Sequence, residues 1–121
     1  MDIKTLIKKL DIPWAKAAFY GIFAPAKLYE LALDKANTAV NLLLEANADT
    51  VQEVREKLFT INGYLKKYRH YLPEAWEPYY MACNETVSAV YVATGDNNVS
   101  LQERTEIFSK FALAYSAFKA D

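Results

Sequence analysis

The chain of 121 residues has a net charge of −1 and is 53% hydrophobic, with 3 glycines, 4 prolines and 1 cysteine. A chain of this length fits one domain that folds without disulfides or metal ions. One cysteine excludes an intrachain disulfide, and a reducing compartment such as the cytoplasm is the simpler interpretation. The near-neutral charge disfavours general nucleic-acid binding. The charge is nevertheless uneven, since residues 1–27 sum to +3 and the remaining residues to −4.

The first 24 residues predict two short helices, which together we call the N-terminal arm. Residues 1–10 place apolar side chains on one helical face and three lysines on the other. Residues 13–24 predict a second helix that is apolar almost all round. A helix of that composition is expected to be covered on more than one side.

The segment IPWAKAAFYGIFAPAK, residues 12–27, carries only two charges. Its apolar run is about a dozen residues long, short of the ~20 that a membrane-spanning helix needs. A secretory signal is disfavoured because Asp11 and Lys16 crowd the apolar run and Pro25 falls inside the expected cleavage site. Peripheral attachment to a membrane through the N-terminal arm is an alternative, because residues 1–10 are basic and amphipathic.

The interpretation that we favour is that residues 12–25 pack against the chain's own helices and against a second copy of the protein. Large exposed apolar patches on soluble proteins usually mark contacts of this kind. Ala17 and Gly21 lie four residues apart, which gives the helix one smooth side and permits a close helix crossing. The predicted interface residues of this segment are Trp14, Phe19, Tyr20 and Phe23.

Two long helices should follow the N-terminal arm. The first spans about 26–47, and its single narrow polar stripe predicts contact with more than one neighbour. The second spans about 50–71, where Thr50 and Glu53 predict a capping box at the start. Its apolar residues follow an a/d heptad spacing, which indicates packing along neighbouring helices. These residues are Val51, Val54, Leu58, Ile61, Leu65, Tyr68 and Leu72.

Two further helices are predicted in the C-terminal part. One begins at Glu77 or Pro78, because proline does not fit deep inside a helix, and ends with Gly95 as a left-handed cap. The other begins after Ser100, which is predicted to form a capping box with Glu103. Short connections make sequential helices antiparallel. We therefore predict one all-α domain, in which the arm, residues 1–24, precedes an antiparallel up-down four-helix bundle, residues 25–121.

Candidate catalytic and metal-binding residues are few. Three Glu-x-x-Glu pairs occur, and such pairs can hold Mg²⁺ or a two-metal centre in a helical bundle. The heptad register instead places the first and third pairs towards solvent, near helix N-termini that favour acidic residues. His70 and Cys83 supply too few ligands for zinc, and Cys83 falls on an apolar helix face where thiols are inert. We therefore expect no metal, no cofactor and no enzymatic activity.

A basic and aromatic stretch near residue 70 is the best candidate for binding an anion or an acidic partner. Cations interleaved with tyrosines suit a phosphate, a nucleobase or an acidic protein surface. They equally suit a helix C-terminus whose tyrosines line a core. The residues of this predicted patch are Tyr64, Lys66, Lys67, Arg69, His70 and Tyr71. Trp76 and Tyr79 are predicted to add an aromatic contact surface nearby.

Together these features predict a non-catalytic protein–protein interaction module, comparable to adaptors, inhibitors and immunity proteins, including those encoded by phages and mobile elements. We expect it to self-associate through residues 12–25. A small bundle that binds a nucleotide-like anion at Tyr64–Tyr71 is the second hypothesis, and peripheral membrane attachment through the arm is the third.

Overall fold

A computed structural model describes residues 2–45 and 47–120. Within them the secondary structure is helical, with no β-strand, so the predicted all-α class is confirmed. The chain divides into two compact units, Met1–Leu72 and Pro73–Asp121. The α-helices are α1 (Ile3–Lys8), α2 (Trp14–Phe23), α3 (Pro25–Glu45), α4 (Ala48–Tyr68), α5 (Glu77–Thr94) and α6 (Leu101–Lys119). Short 3₁₀ helices follow α4 at Arg69–Tyr71 and precede α5 at Glu74–Trp76.

Helix α3 is the centre of the first unit. It packs against α4, against α2 and against the 3₁₀ helix that follows α4, so the predicted contact with several neighbours is confirmed. Two sequence positions separate α3 from α4, and the two helices pack against each other. The buried residues of α3 are Leu28, Tyr29, Ala32, Leu33, Ala36, Ala39, Val40, Leu42 and Leu43.

Helix α4 begins two residues earlier than the sequence predicted. The side chain of Asn47 caps it, since its Oδ1 accepts hydrogen bonds from the backbone N–H groups of Asp49 (3.0 Å) and Thr50 (3.2 Å). Thr50 therefore lies inside the first turn, where its hydroxyl donates to the carbonyl of Asn47. The predicted capping box at Thr50 and Glu53 is wrong because asparagine, an equally strong N-cap residue, precedes it.

The heptad pattern of α4 accounts for its packing. The residues at its heptad positions are buried from Val54 onwards, while Val51 in the first turn is half-buried. The regular helix ends at Tyr68, and the 3₁₀ turn Arg69–Tyr71 then carries Leu72 back into a buried position. The register read from the sequence thus gives the correct inward face, with a tighter last turn than predicted.

Apolar side chains of α1 and of the turn after it are buried inside the first unit. Ile7 and Leu10 are buried, and α1 packs against α4. The turn after α1 is tied to the long helices by an ion pair between Lys57 and Asp11 (2.6 Å) and by Lys35, whose Nζ donates to the Lys9 carbonyl. Both ion-pair side chains are partly exposed, so this pair fixes geometry more than it adds stability.

The second unit contains α5 and α6, which pack against each other. Ser100 caps α6, with its Oγ accepting from the Glu103 N–H at 3.1 Å, which is the serine half of the predicted capping box. Gly95 ends α5 but is not left-handed, since its φ is −97°. Its N–H instead donates to the Val92 carbonyl in a tight 3₁₀-type turn, so the predicted left-handed cap is wrong. The buried apolar residues of this unit are Tyr80, Cys83, Val87, Val90, Ala93, Phe111 and Phe118.

The Asn47 cap yields a prediction about stability. We expect Asn47→Ala to lower the free energy of unfolding by about 1 kcal/mol, because two N–H groups of α4 lose their acceptor. Chemical denaturation followed by circular dichroism measures this loss. Asn97→Ala, an exposed residue in the turn after α5, is the control and should change stability little. Equal stability of the Asn47 variant and the wild type would show that the cap is not needed.

Candidate functional site

Helix α2 has two distinct faces. Its inner face contains Ala17, Tyr20 and Gly21, which are half-buried, and it packs against α3. Its opposite side, which we call the outer face of α2, is exposed along the whole helix. The spacing of the outer-face residues, 1 and 3 in alternation, is that of a single helical face. These residues are Trp14, Ala15, Ala18, Phe19, Ile22 and Phe23.

The rotation of α2 is determined by a close approach between Gly21 and Tyr68. A Cβ atom at position 21 would lie 3.0 Å from the Tyr68 hydroxyl oxygen, well inside ordinary van der Waals contact. Only glycine therefore lets the backbone of α2 rest on the tyrosine ring without a shift. The smooth side that Ala17 and Gly21 predict is thus on the inner face, where Gly21 lies against Tyr68 of α4. The aromatic side chains on the opposite side of α2 must then face outwards.

The outer face of α2 is strongly exposed for apolar side chains. Trp14 is 82%, Phe19 57%, Ile22 74% and Phe23 71% exposed, and no residue of α2 is fully buried. Single exposed apolar residues are ordinary on protein surfaces, whereas a contiguous group on one helix is typical of a contact site. The described residues of the chain therefore cover one side of the segment at residues 12–25 and leave the opposite side exposed.

The outer face is uncharged, and its aromatic rings are in contact. Phe19 and Phe23 pack with ring centroids 5.0 Å apart. Lys16 lies off this face, with its Nζ 5.9 Å from the centre of the Tyr20 ring. Tyr20 itself is half-buried at the edge of the inner face and also touches Phe19. A surface of this kind suits an apolar partner surface and offers nothing to an anion.

A row of tyrosines runs along the end of α4 and into the 3₁₀ helix that follows it, and its middle member, Tyr68, contacts α2. Tyr64 stacks on Tyr68 with a centroid distance of 6.2 Å, and Tyr68 contacts Tyr71 at 5.9 Å. Tyr68 is buried, as the heptad pattern predicted, while Tyr71 is exposed. The residues of this row share one face because they are three or four positions apart. Tyr71 is therefore the exposed end of a row whose middle member, Tyr68, contacts Gly21 of α2.

The predicted basic patch is only partly assembled. Lys67 lies beside the tyrosine row, with its Nζ 5.4 Å from the centre of the Tyr68 ring. A shallow groove of about 230 Å³ lies here, and its lining residues are Thr60, Gly63, Tyr64, Lys67 and Tyr68. Lys66 and His70 are exposed and Arg69 is half-buried, and none of these three lines the groove. The patch of interleaved cations therefore spreads around the helix.

The two aromatic residues predicted after Pro73 belong to the second unit. Trp76 is half-buried and makes an edge-to-face contact with Phe118, with ring centroids 5.7 Å apart. Tyr79 is exposed in the first turn of α5. Trp76 thus packs within its own unit, and Tyr79 is the more exposed of the two side chains.

Two of the acidic residues lie in a groove together with basic side chains. Glu53 and Glu56 share a surface groove with Lys4, Lys8 and Lys57, so that basic side chains surround the acidic pair. Among the described residues, no three His, Cys, Asp or Glu side chains gather closely enough to hold a metal ion. Among them too, no helix combines the length and apolar character needed to cross a membrane.

Cys83 is fully buried in the second unit, and its Sγ donates to the Ala114 carbonyl at 3.4 Å. Burial raises the pKa of the Cys83 thiol from 9.0 to about 12, because the thiolate would lose its hydration. A thiol in this state is a poor nucleophile. The prediction that Cys83 lies on an inward helix face is confirmed.

Sequence reasoning missed two parts of the site. Ile22 was not among the predicted interface residues, although it is as exposed as the aromatic residues. Trp14, Ala18 and Ile22 are spaced four residues apart, which places them along one side of a helix. This spacing could have identified Ile22. The groove beside Tyr64 was also missed, because Thr60 and Gly63 carry no chemical signal of their own.

Comparisons of this chain with protein-family models, with curated proteins and with solved structures found no match. The distinguishing surface feature of the described residues is the outer face of α2. Its chemistry is that of an apolar contact surface, since it combines aromatic rings with small alanines and carries no charge.

The contact between Gly21 and Tyr68 can be tested with a matched pair of substitutions. We expect Gly63→Ala to raise the free energy of unfolding by about 0.5–1 kcal/mol, because alanine favours a helix and nothing lies within 4 Å of a Cβ there. Gly21→Ala should lack this gain and lower stability, because its Cβ would press on Tyr68. Urea denaturation compares the two variants. An equal gain at both positions would refute the close approach.

Burial of Cys83 predicts a pH dependence and a reactivity. The pKa of the Cys83 thiol is higher in the folded protein, about 12, than its ordinary value of 9.0. The free energy of unfolding therefore includes a contribution from the neutral thiol that is fully present below about pH 9 and is lost as pH rises towards 12. Cys83→Ala should remove this part of the alkaline loss, as pH-dependent denaturation would show. At pH 8 the native thiol should resist a disulfide reagent and react once the chain is unfolded. Rapid reaction of the native protein would contradict this burial.

Proposed function

We propose that this protein is a non-catalytic interaction module that self-associates through the outer face of α2. The observation that carries the proposal is the contiguous apolar exposure of Trp14, Phe19, Ile22 and Phe23 on a helix whose inner face is already docked. An adaptor, inhibitor or immunity-type role, with the cytoplasm as the location, is compatible with such a surface. Antiparallel packing of α3 to α6 as an up-down four-helix bundle is part of the same proposal and derives from the sequence pattern.

The size of the surface supports pairing with a second copy. Aromatic side chains present about 150–250 Å² each, so the three exposed rings of the outer face offer roughly 400 Å². Adding Ile22 and the alanines, two such faces would together bury about 1,000 Å², the lower limit for a specific protein interface. The absence of charge on the outer face also favours a partner surface of the same chemistry, and a second outer face meets that requirement.

Peripheral membrane attachment has less support. That hypothesis used the apolar face of α1 as well as the basic residues of the arm. Ile7 and Leu10 of that face are buried within the first unit, so α1 has little left to insert into a lipid surface. Only the outer face of α2 would remain for such a contact.

Binding of a nucleotide-like anion at Tyr64–Tyr71 also has less support than self-association. Lys67 is the single basic residue among the five described residues that line the groove beside Tyr64. Multiply charged phosphates generally need several converging donors. Lys66, Arg69 and His70 lie outside the groove and would have to reorient.

Self-association is tested by light scattering on a size-exclusion column. We expect the wild type to elute with at least twice the chain mass of 13.8 kDa. Ile22→Glu should weaken association by about 2 kcal/mol or more, a roughly 30-fold higher Kd, because a carboxylate would be buried unpaired in the interface. The variant should then elute as a monomer at concentrations where the wild type does not.

Leu113→Glu is the matched control for this experiment. Leu113 is 73% exposed on α6, which resembles the exposure of Ile22, but it lies in the second unit. The control variant should keep the mass of the wild type. A monomeric wild type across the accessible concentration range would overturn self-association, and equal effects of both variants would overturn the assignment to α2.

A further inference from the structure

We infer that two copies pair through α2 in an antiparallel arrangement whose two-fold axis passes between residues 18 and 19. This inference rests on the proposed function and adds the geometry of the partner. A two-fold interface uses the same patch on both subunits, so each residue faces a residue fixed by the symmetry. With the axis at this position, Ala18 lies level with Phe19 of the second copy and Ala15 lies level with Ile22, while Trp14 and Phe23 lie on opposite edges of the interface.

The argument comes from the order of small and large residues on the outer face. Packed helices interdigitate best where a small side chain on one faces a large side chain on the other. In the antiparallel arrangement the two alanines oppose Phe19 and Ile22, so each bulky side chain enters a space that an alanine leaves. The exposed positions of all four side chains make this fit available without a change in the first unit.

A parallel pair in register would place like against like. Phe19 would meet Phe19 and Ile22 would meet Ile22, while Ala15 and Ala18 would face the same small residues across gaps. Bulky side chains that collide beside empty spaces cost packing energy at both places. The parallel pair would also align the two helix dipoles, whereas the antiparallel pair sets them in opposition.

The ends of α2 fit the antiparallel pair as well. Trp14 lies in the first turn and Phe23 is the last residue of the helix, half a rotation away around the helix axis. Each copy therefore places one aromatic ring at either edge of the interface. Lys16 lies off the outer face, beside Tyr20, and stays hydrated at the rim. Neither arrangement would therefore bury a charge, and packing of small against large residues decides between them.

Disulfide trapping distinguishes the arrangements. Ala18→Cys lies next to the two-fold axis, so it should cross-link to itself when incubated with oxidised glutathione. Ala15→Cys alone should not, because two such residues would be about 10 Å apart along antiparallel helices and disulfides need Cα atoms within roughly 7 Å. A mixture of Ala15→Cys and Ile22→Cys chains should cross-link several-fold more than either variant alone. The native thiol does not compete, because Cys83 is buried.

The outcomes of this experiment distinguish the antiparallel arrangement from self-association itself. Cross-linking of Ala15→Cys to itself as efficiently as in the mixture would indicate a parallel pair and overturn the inference, while self-association would stand. No cross-linking of Ala18→Cys together with a monomeric wild type would overturn both. Leu113→Cys serves as the control for random collision, since it is exposed to a similar degree on α6. Non-reducing electrophoresis measures all the products.

Discussion

The close approach of Gly21 to Tyr68 is the constraint on which the rest of the candidate site depends. The backbone of α2 lies on the tyrosine ring, so the rotation of this helix about its axis is fixed. Tyr68 is held in turn by the heptad packing of α4 and by its contacts with Tyr64 and Tyr71. The pattern that builds the core of the first unit thus also decides which side of α2 faces outwards. The outer face is a consequence of the core packing and cannot be rearranged independently of it.

Much of the fold follows from local rules that act within one turn of helix. Apolar spacing locates all six helices, and prolines and cap residues place most boundaries within about two residues, as expected where strong signals coincide. The errors arose where two local solutions competed. Asn47 and Thr50 are both good caps near one helix start, and only the hydrogen bonds show that Asn47 is used. Gly95 could have turned left-handed, yet a 3₁₀ turn closes the helix with ordinary dihedral angles.

The candidate site was harder to predict because its geometry depends on contacts between elements distant in sequence. The composition of residues 13–24 identified Trp14, Phe19 and Phe23 as candidates, but a helix that is apolar almost all round has no polar side from which to deduce its orientation. Ile22 was overlooked for that reason. The basic stretch at residues 64–71 looked like one patch in the sequence but is not one in the structure. Adjacent cations, such as Lys66 and Lys67, point in different directions around a helix.

The glycine that lets α2 dock also makes it a weak helix in isolation. Ten residues are fewer than the ~12–15 that an independent helix needs in water, and an interior glycine costs about 1 kcal/mol more. Helix α2 therefore acquires its structure only after α3 and α4 have formed the surface that holds Tyr68. We therefore expect the two long helices to form first and α2 to settle on them last, and we expect α2 to open before them on unfolding.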